Sequence, residues 1–149
     1  MPDSPDELRL RALRHLARRE HSRAELARKL APHAGSPQAL TQLLDALLVK
    51  GQQSDERFAE GRARVLSRKY GPARIRHDLR AKGVDEALAR SVLPADELER
   101  ARAILARRYG APAASPAERA RRARFLQGRG FSAEIVFRLL RLTSSEESP

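Results

Sequence analysis

A chain of 149 residues with 41% hydrophobic and 33% charged residues suits one domain or a short array of small modules and is too apolar for wholesale disorder. Aromatics at only 4% leave the packing to leucine and alanine, which favours helix over sheet, and the absence of cysteine excludes disulfides and thiolate metal sites. The net charge of +11 favours a polyanion or an acidic protein surface as partner.

The first thirty residues hold no apolar signal segment, and the chain has no apolar run of about eighteen residues. A cytoplasmic protein without a membrane contact is therefore expected. Residues 1–53, 54–94 and 95–149 carry +3, +4 and +4, so the charge is spread along the chain and not loaded into a tail. Only Lys29, Lys50, Lys69 and Lys82 are lysines; the other 26 basic residues are arginines, a bias typical of GC-rich genomes that discounts any single arginine.

Helix starts are legible in chain order. A side-chain oxygen at the N-cap and a glutamate three residues on satisfy amides that the helix itself cannot. Ser4 with Glu7, Ser22 with Glu25, Asp96 with Glu99 and Ser115 with Glu118 fit that box, and Pro5 and Pro116 stand at the first helical position. Weaker starts fall at Ser36-Pro37, at Ser54 followed by Asp55 and Glu56, at Gly71-Pro72, at Asp85 and at Ser132. Nine helices are predicted in all. Apolar spacing agrees: Leu40, Leu43, Leu44 and Leu47; Ala59, Ala63, Leu66 and Tyr70; Leu98, Ala101, Leu105 and Tyr109; Ile135, Leu139 and Leu142. No segment alternates with period two, so no strand is predicted. The stretch 110–115 is a loop, and 143–149 reads as a flexible acidic tail.

The helices repeat as groups. "SRKYG" at 67–71 recurs as "ARRYG" at 106–110, an offset of 39 residues. "LRAKGV" pairs with "LQGRGF" at an offset of 47, which aligns Leu79 with Leu126, Lys82 with Arg129, Gly83 with Gly130 and Val84 with Phe131. A shift of 49 puts Leu26 and Leu30 on Ile75 and Leu79, and the capping Ser22 on Gly71. The fold class expected is thus all-α: three tandem three-helix repeats in an elongated, curved array, with modules at 1–53, 54–94 and 95–142.

Chemistry finds little support. Gly-rich phosphate loops are absent, and "GRG" at 128–130 reads as a helix C-cap with an exposed arginine. His15, His21, His33 and His77 stand 6, 12 and 44 residues apart, which puts no two on one helical turn for a metal. His77 beside Asp78 lacks a nucleophile, and adjacent helical residues point apart, so a surface histidine is the better reading. Asp55 and Glu56, directly after Ser54, are explained by the helix dipole. No catalytic residue, cofactor or metal is expected.

What remains is surface. On the helix opening at Pro72, Ile75 and Leu79 define the inner stripe, which sends Ala73, His77 and Arg80 outward with Arg74 and Arg76 flanking. Arg68 and Lys69 end the preceding helix, so up to five cations gather around the Gly71 corner. The dibasic-Tyr-Gly corner returns at Arg107, Arg108, Tyr109 and Gly110. A ladder of such corners suits a periodic partner. Tyr70 and Tyr109, in phase with Leu66 and Leu105, read as module-core residues rather than base-stacking platforms.

These residues resemble a known family, the bacterial RecX regulators of the RecA recombinase. The resemblance is carried by "ARREHSRAELARKL", "SDERFAEGRARVLSRKYGPARIRHDLRAKGV" and "RFLQGRGFSAEIVFRLL" and extends from about Leu8 to Leu142. Its most specific part is the middle stretch, with Asp55, Phe58, Ala59, Arg62, Tyr70, Gly71, Pro72, Ile75, Leu79, Lys82 and Gly83 in the family's order. His21 departs from it, standing where many relatives have an aromatic residue, as do Gly61 and the small residues Ala113, Ala114 and Ser115.

The resemblance implies tandem three-helix repeats that lie in the groove of the RecA-DNA filament, limit its growth or promote its disassembly, and so modulate homologous recombination, DNA repair and the SOS response. It implies a regulator without enzymatic activity, partnered by the RecA filament and by single- or double-stranded DNA, directly or through RecA. A monomer is expected. The contact residues expected are Arg68, Lys69, Arg74, Arg76, Arg80, Lys82, Arg107 and Arg108. Asp55, Phe58, Tyr70, Gly71, Pro72, Ile75, Leu79 and Gly83 form the structural motif. The alternative is a stand-alone helix-turn-helix-like DNA-binding protein, against which stands the lack of an Asn, Gln and Arg cluster at one helix start. A purely structural helical scaffold is a third reading.

Overall fold

The computed structural model describes residues 1–145, with side chains up to Arg141. Among the described residues there are nine α-helices and no strand. They are α1 (Pro5–Arg18), α2 (Arg23–Leu30), α3 (Pro37–Val49), α4 (Asp55–Leu66), α5 (Pro72–Ala81), α6 (Glu86–Ser91), α7 (Glu97–Arg108), α8 (Pro116–Gly128) and α9 (Ala133–Ser145), and one 3-10 turn, Ala31–His33, follows α2. Every helix begins directly after the residue that the sequence marks as its start. Helix α9 continues past the expected module end at residue 142, so 143–145 are helical and not tail; extending a helix already formed is easier than starting one. The remainder of the expected tail, 146–149, lies outside the described residues, as does the side chain of Leu142.

The caps show which polar side chains set these starts. Ser4 and Ser22 each form a complete capping box, with Glu7 and Glu25 reaching back to the N-cap amides. Ser36 accepts from the Ala39 amide, Ser54 from Arg57, Asp85 from Leu88 and Ser132 from Ile135. Two expected boxes differ. Ser115 accepts from the Glu118 amide at 3.2 Å, but the Glu118 carboxylate takes the Ala114 amide instead of the N-cap's own. Asp96 makes no side-chain cap; its carboxylate accepts from Arg100 Nε at 2.8 Å, one turn on, and that hydrogen bond lowers its pKa. A charged donor on the same helix face outcompetes a neutral amide for the carboxylate.

The contacts divide the chain into two compact units, Met1–Arg62 with Leu79–Ser91, and Ala63–Asp78 with the segment from Val92 on. In the first unit α1, α2 and α3 pack on one another. Their core is Leu8, Ala12, Leu26, Leu30, Leu44 and Leu47, and Leu40 and Leu43 pack against it half-buried. In the second unit α7, α8 and α9 surround Ala101, Ile104, Leu105, Leu126, Phe131, Val136, Leu139 and Leu140. Leucines dominate both cores, each with one buried alanine, Ala12 or Ala101, which is how a chain so poor in aromatics fills its interior.

The two glycine turns aligned by the sequence repeat have the same geometry. After α5 the Val84 amide donates to Leu79 C=O at 3.0 Å and Gly83 donates to Arg80 C=O at 3.0 Å. After α8 Phe131 donates to Leu126 C=O at 3.1 Å and Gly130 to Gln127 C=O at 3.0 Å. Gly83 and Gly130 sit at φ +86° and +95°, a left-handed conformation that satisfies the last carbonyls of each helix. The apolar residue that follows, Val84 or Phe131, turns back into the core.

Each turn also docks on the start of another helix within its own unit. In the first, Ser22 Oγ donates to Lys82 C=O at 2.6 Å, and a Cβ on Gly83 would lie 2.3 Å from Ala24 Cβ. In the second, Gly71 N–H donates to Arg129 C=O at 2.7 Å and Ala73 N–H to Gly130 C=O at 3.1 Å. There a Cβ on Gly130 would lie 2.6 Å from the Arg74 nitrogen, and one on Gly71 would lie 2.6 Å from Gly130 O. The offset that places Ser22 on Gly71 thus aligns two versions of one joint. The sequence alone shows neither partner, because they are far apart along the chain.

Candidate functional site

The basic residues singled out from the sequence fall on α4, α5 and α7 and the turns that end them. Arg68, Lys69, Arg74, Arg76, Arg107 and Arg108 belong to the second unit and are exposed; Arg80, exposed, and Lys82, half-buried, belong to the first. Ile75 and Leu79 are fully buried while Ala73, Arg74, Arg76, His77 and Arg80 face solvent, as the helical phase requires.

Within the first unit, Arg80 Nη1 donates to Val84 C=O at 3.1 Å and its Nε lies 3.4 Å from the Glu86 carboxylate. That guanidinium braces the turn between α5 and α6. Lys82 contributes its carbonyl to Ser22. Asp55 has a larger role than dipole complement: its Oδ1 accepts from the Arg23 amide at 2.7 Å and from the buried Gln53 Nε2 at 2.9 Å, which ties the start of α4 to that of α2. Phe58, one turn on, is buried.

The start of α2 also gathers charged groups of both signs. Glu25, 7% exposed, takes Arg19 in a two-pronged ion pair at 2.6 and 3.1 Å and accepts from Ser22 N–H. Burial acts to raise its pKa, but the Arg19 hydrogen bond and charge, with lesser help from His21 and Ser22, lower it to about 2. His21 is buried beside it, with Nδ1 3.1 Å from Arg19 C=O and Nε2 3.0 Å from Lys29 Nζ. Its ring lies 5.6 Å from that of His15. Burial lowers the pKa of both histidines, with nearby cations adding to the effect. His21 is thus a packed core side chain, and among the described residues there is no group of three or more His, Cys, Asp or Glu that could hold a metal ion.

In the second unit the corner at Gly71 is surrounded by stacked arginines. The Arg74 guanidinium lies 4.6 Å from the Tyr70 ring centroid, and Arg129 lies 5.4 Å from the same ring. Arg129 also lies 5.1 Å from the Phe125 ring, and Arg108 lies 5.8 Å from Phe125 and 5.9 Å from Tyr109. Arg122 closes the row 4.4 Å from Tyr109, whose ring meets Phe125 edge-on at 5.9 Å. Tyr109 packs against the core of this unit, as its helical phase predicts, and still presents a face to two arginines. Arg107 turns away from this row and donates to Arg68 C=O at 2.6 Å.

Arg129 differs from its sequence reading. It is half-buried between two rings, not simply exposed, because the left-handed turn at Gly130 folds it back toward Tyr70 and Phe125. The motifs of the sequence do not point to Arg122 or Phe125. The available signal was their spacing on α8: residues 122, 125 and 129 share one face, in step with the turn residue that aligns with Lys82.

Three-helix groups that each contain the same glycine turn, with arginine-rich exteriors, define an all-helical repeat protein. The model described as "RecX, second three-helix domain" matches residues 54–93, and that described as "RecX, third three-helix domain" matches 95–140. The chain belongs to the RecX family. It is 46% identical over 142 residues to "Regulatory protein RecX" of Leptothrix cholodnii, covering 93% of this chain and 90% of that protein. It is 43% identical over 131 residues to the protein of that name from Neisseria gonorrhoeae, covering 87% and 86%. The crystal structure of RecX from Lactobacillus salivarius superposes with a TM-score of 0.82 over 95% of this chain and 97% of that one at 21% identity, a likeness of fold. Among the described residues no helix is long and apolar enough to cross a membrane.

Proposed function

We propose that this chain regulates the RecA recombinase, mainly as an inhibitor. It binds in the groove of the RecA-DNA filament and limits filament growth or promotes disassembly, and so modulates recombinational repair and the SOS response. The modules 1–53, 54–94 and 95–142 act in the cytoplasm as a monomer without enzymatic activity. Membership of a family whose relatives are named regulatory proteins is the observation that supports this reading most. The expected contact surface is Arg68, Lys69, Arg74, Arg76, Arg80, Lys82, Arg107 and Arg108.

A RecA ATPase and filament-length assay with the purified chain tests the activity. Inhibition at substoichiometric protein, with shortened filaments, is expected; unchanged filaments and ATPase would refute the reading. Arg68→Glu with Lys69→Glu tests the surface, since both side chains are exposed and neither forms a described ion pair. The double variant is expected to weaken inhibition about tenfold or more while its melting temperature stays within a few degrees, because surface charges contribute little to stability. Full inhibition by this variant would remove the corner from the interface.

A further inference from the structure

The second unit carries an alternating row in which Arg74, Arg129, Arg108 and Arg122 interleave with Tyr70, Phe125 and Tyr109. None of these four arginines forms an ion pair with a described carboxylate. Elsewhere Arg11, Arg19, Arg23, Arg57, Arg80, Arg90, Arg100 and Arg102 all have acidic partners. Arg9, Arg14, Arg28, Arg68 and Arg107 also lack a described acidic partner; what sets Arg74, Arg108, Arg122 and Arg129 apart from them is the aromatic ring beside each guanidinium. A ring beneath a guanidinium holds its plane and leaves its edge donors for a planar or tetrahedral oxyanion, so the ordering entropy is already spent before a ligand arrives.

We propose that Arg74, Arg108, Arg122 and Arg129 form a phosphodiester track for a single strand of nucleic acid. The guanidinium edges take successive phosphates, and bases stack on the outer faces of the arginines that the rings support. A polymer with one charge per repeat and a flat group between charges matches an alternating cation and ring row; an acidic protein surface has no such regular spacing. The assignment also sorts the basic residues. Arg80, which braces a turn, and Arg107, bound to Arg68 C=O, lie outside the track, while Arg122 and Arg129 join it. It rests on the reading that this basic exterior is a binding surface, and its binding measurement contains no recombinase.

The experiment is fluorescence anisotropy with a labelled oligothymidylate across a salt series, using the full chain. Arg74→Gln with Arg108→Gln and Arg122→Gln is expected to weaken binding about tenfold or more and to reduce the slope of log K against log salt by about 2, since each phosphate contact to a single strand contributes about 0.7. The same three positions changed to lysine keep the charge but lose the stacked fork, and most of the affinity is expected to be lost there too. Should the glutamine variant lose helicity by circular dichroism, the lysine variant carries the same comparison.

Four results overturn the proposal: a glutamine variant that matches wild type in affinity and slope; an equal loss on neutralising Arg9, Arg14 and Arg28 of the first unit, which would mean diffuse charge; a lysine variant that binds fully; or displacement of the oligonucleotide by polyglutamate at equal charge, which would point to an acidic protein partner. RecA inhibition by the wild-type chain, alongside oligonucleotide binding unchanged in the Arg74, Arg108 and Arg122 variants, defeats this inference alone. Loss of oligonucleotide binding in those variants, with no effect of the wild-type chain on RecA, defeats the regulatory reading alone.

Discussion

Glu25 shows how one side chain serves two levels of structure. It closes the capping box of α2, a role evident in "SRAE", and also pairs with Arg19 beside a buried His21, which the sequence does not show. Its pKa, lowered from 4.5 to about 2, means that the unfolded chain binds the proton more readily. The stability it provides is complete above about pH 4.5 and is lost as pH falls toward 2. His15 and His21 act in the same direction at higher pH: with folded pKa values below 6.5, they favour the folded state fully above that value and less as acid charges them in the unfolded chain. Urea unfolding is therefore expected to show stability falling in two stages below neutrality. His15→Gln with His21→Gln should flatten the upper stage, and Glu25→Gln should flatten the lower and cost about 1–3 kcal/mol at pH 7. A stability constant from pH 7 to 3 would contradict these assignments.

At the scale of elements, the recurring unit is a helix C-terminal glycine turn seated on a helix start. "AKGV" and "GRGF" repeat because each needs a left-handed residue, a carbonyl turned outward and an apolar side chain turned inward. Gly83→Ala combines left-handed strain with a Cβ 2.3 Å from Ala24, so a loss of at least about 2 kcal/mol is expected. Gly61 offers the opposite case. It lies within α4, nothing stands within 4 Å of an added Cβ, and Gly61→Ala is expected to stabilise by up to about 1 kcal/mol. Denaturant midpoints measured on the pair check both signs, and equal shifts in the same direction would refute the packing described at Gly83. The helix starts themselves were readable because caps are local chemistry. The sequence suggests a box at Asp96, but a competing arginine one turn away decides where its carboxylate turns.

At the scale of the whole chain, the two compact units each take part of the 54–94 segment: α4 divides between Arg62 and Ala63, and α5 between Asp78 and Leu79. A fragment of residues 95–149 keeps its own core but loses the Gly71 and Ala73 donors to the Gly130 turn and the Tyr70 ring beneath Arg129. So small a domain is marginal alone. The fragment is expected to remain helical by circular dichroism but to melt with a broader transition and at lower temperature than the full chain; a melt as sharp and as high would show that these contacts do not matter. The sequence by itself determined the helices, their starts, the glycine turns and the inner and outer faces of α5, because caps, φ preferences and helical periodicity act within a few residues. Only the tertiary structure decided that Ser22 meets Lys82, that Gly71 meets Arg129, and that Arg122, Phe125 and Arg129 align with Tyr70 and Tyr109. Those partners are distant along the chain, and burial of apolar surface, which is non-directional, fixes which turns and helix starts come together only once all the helices pack at once.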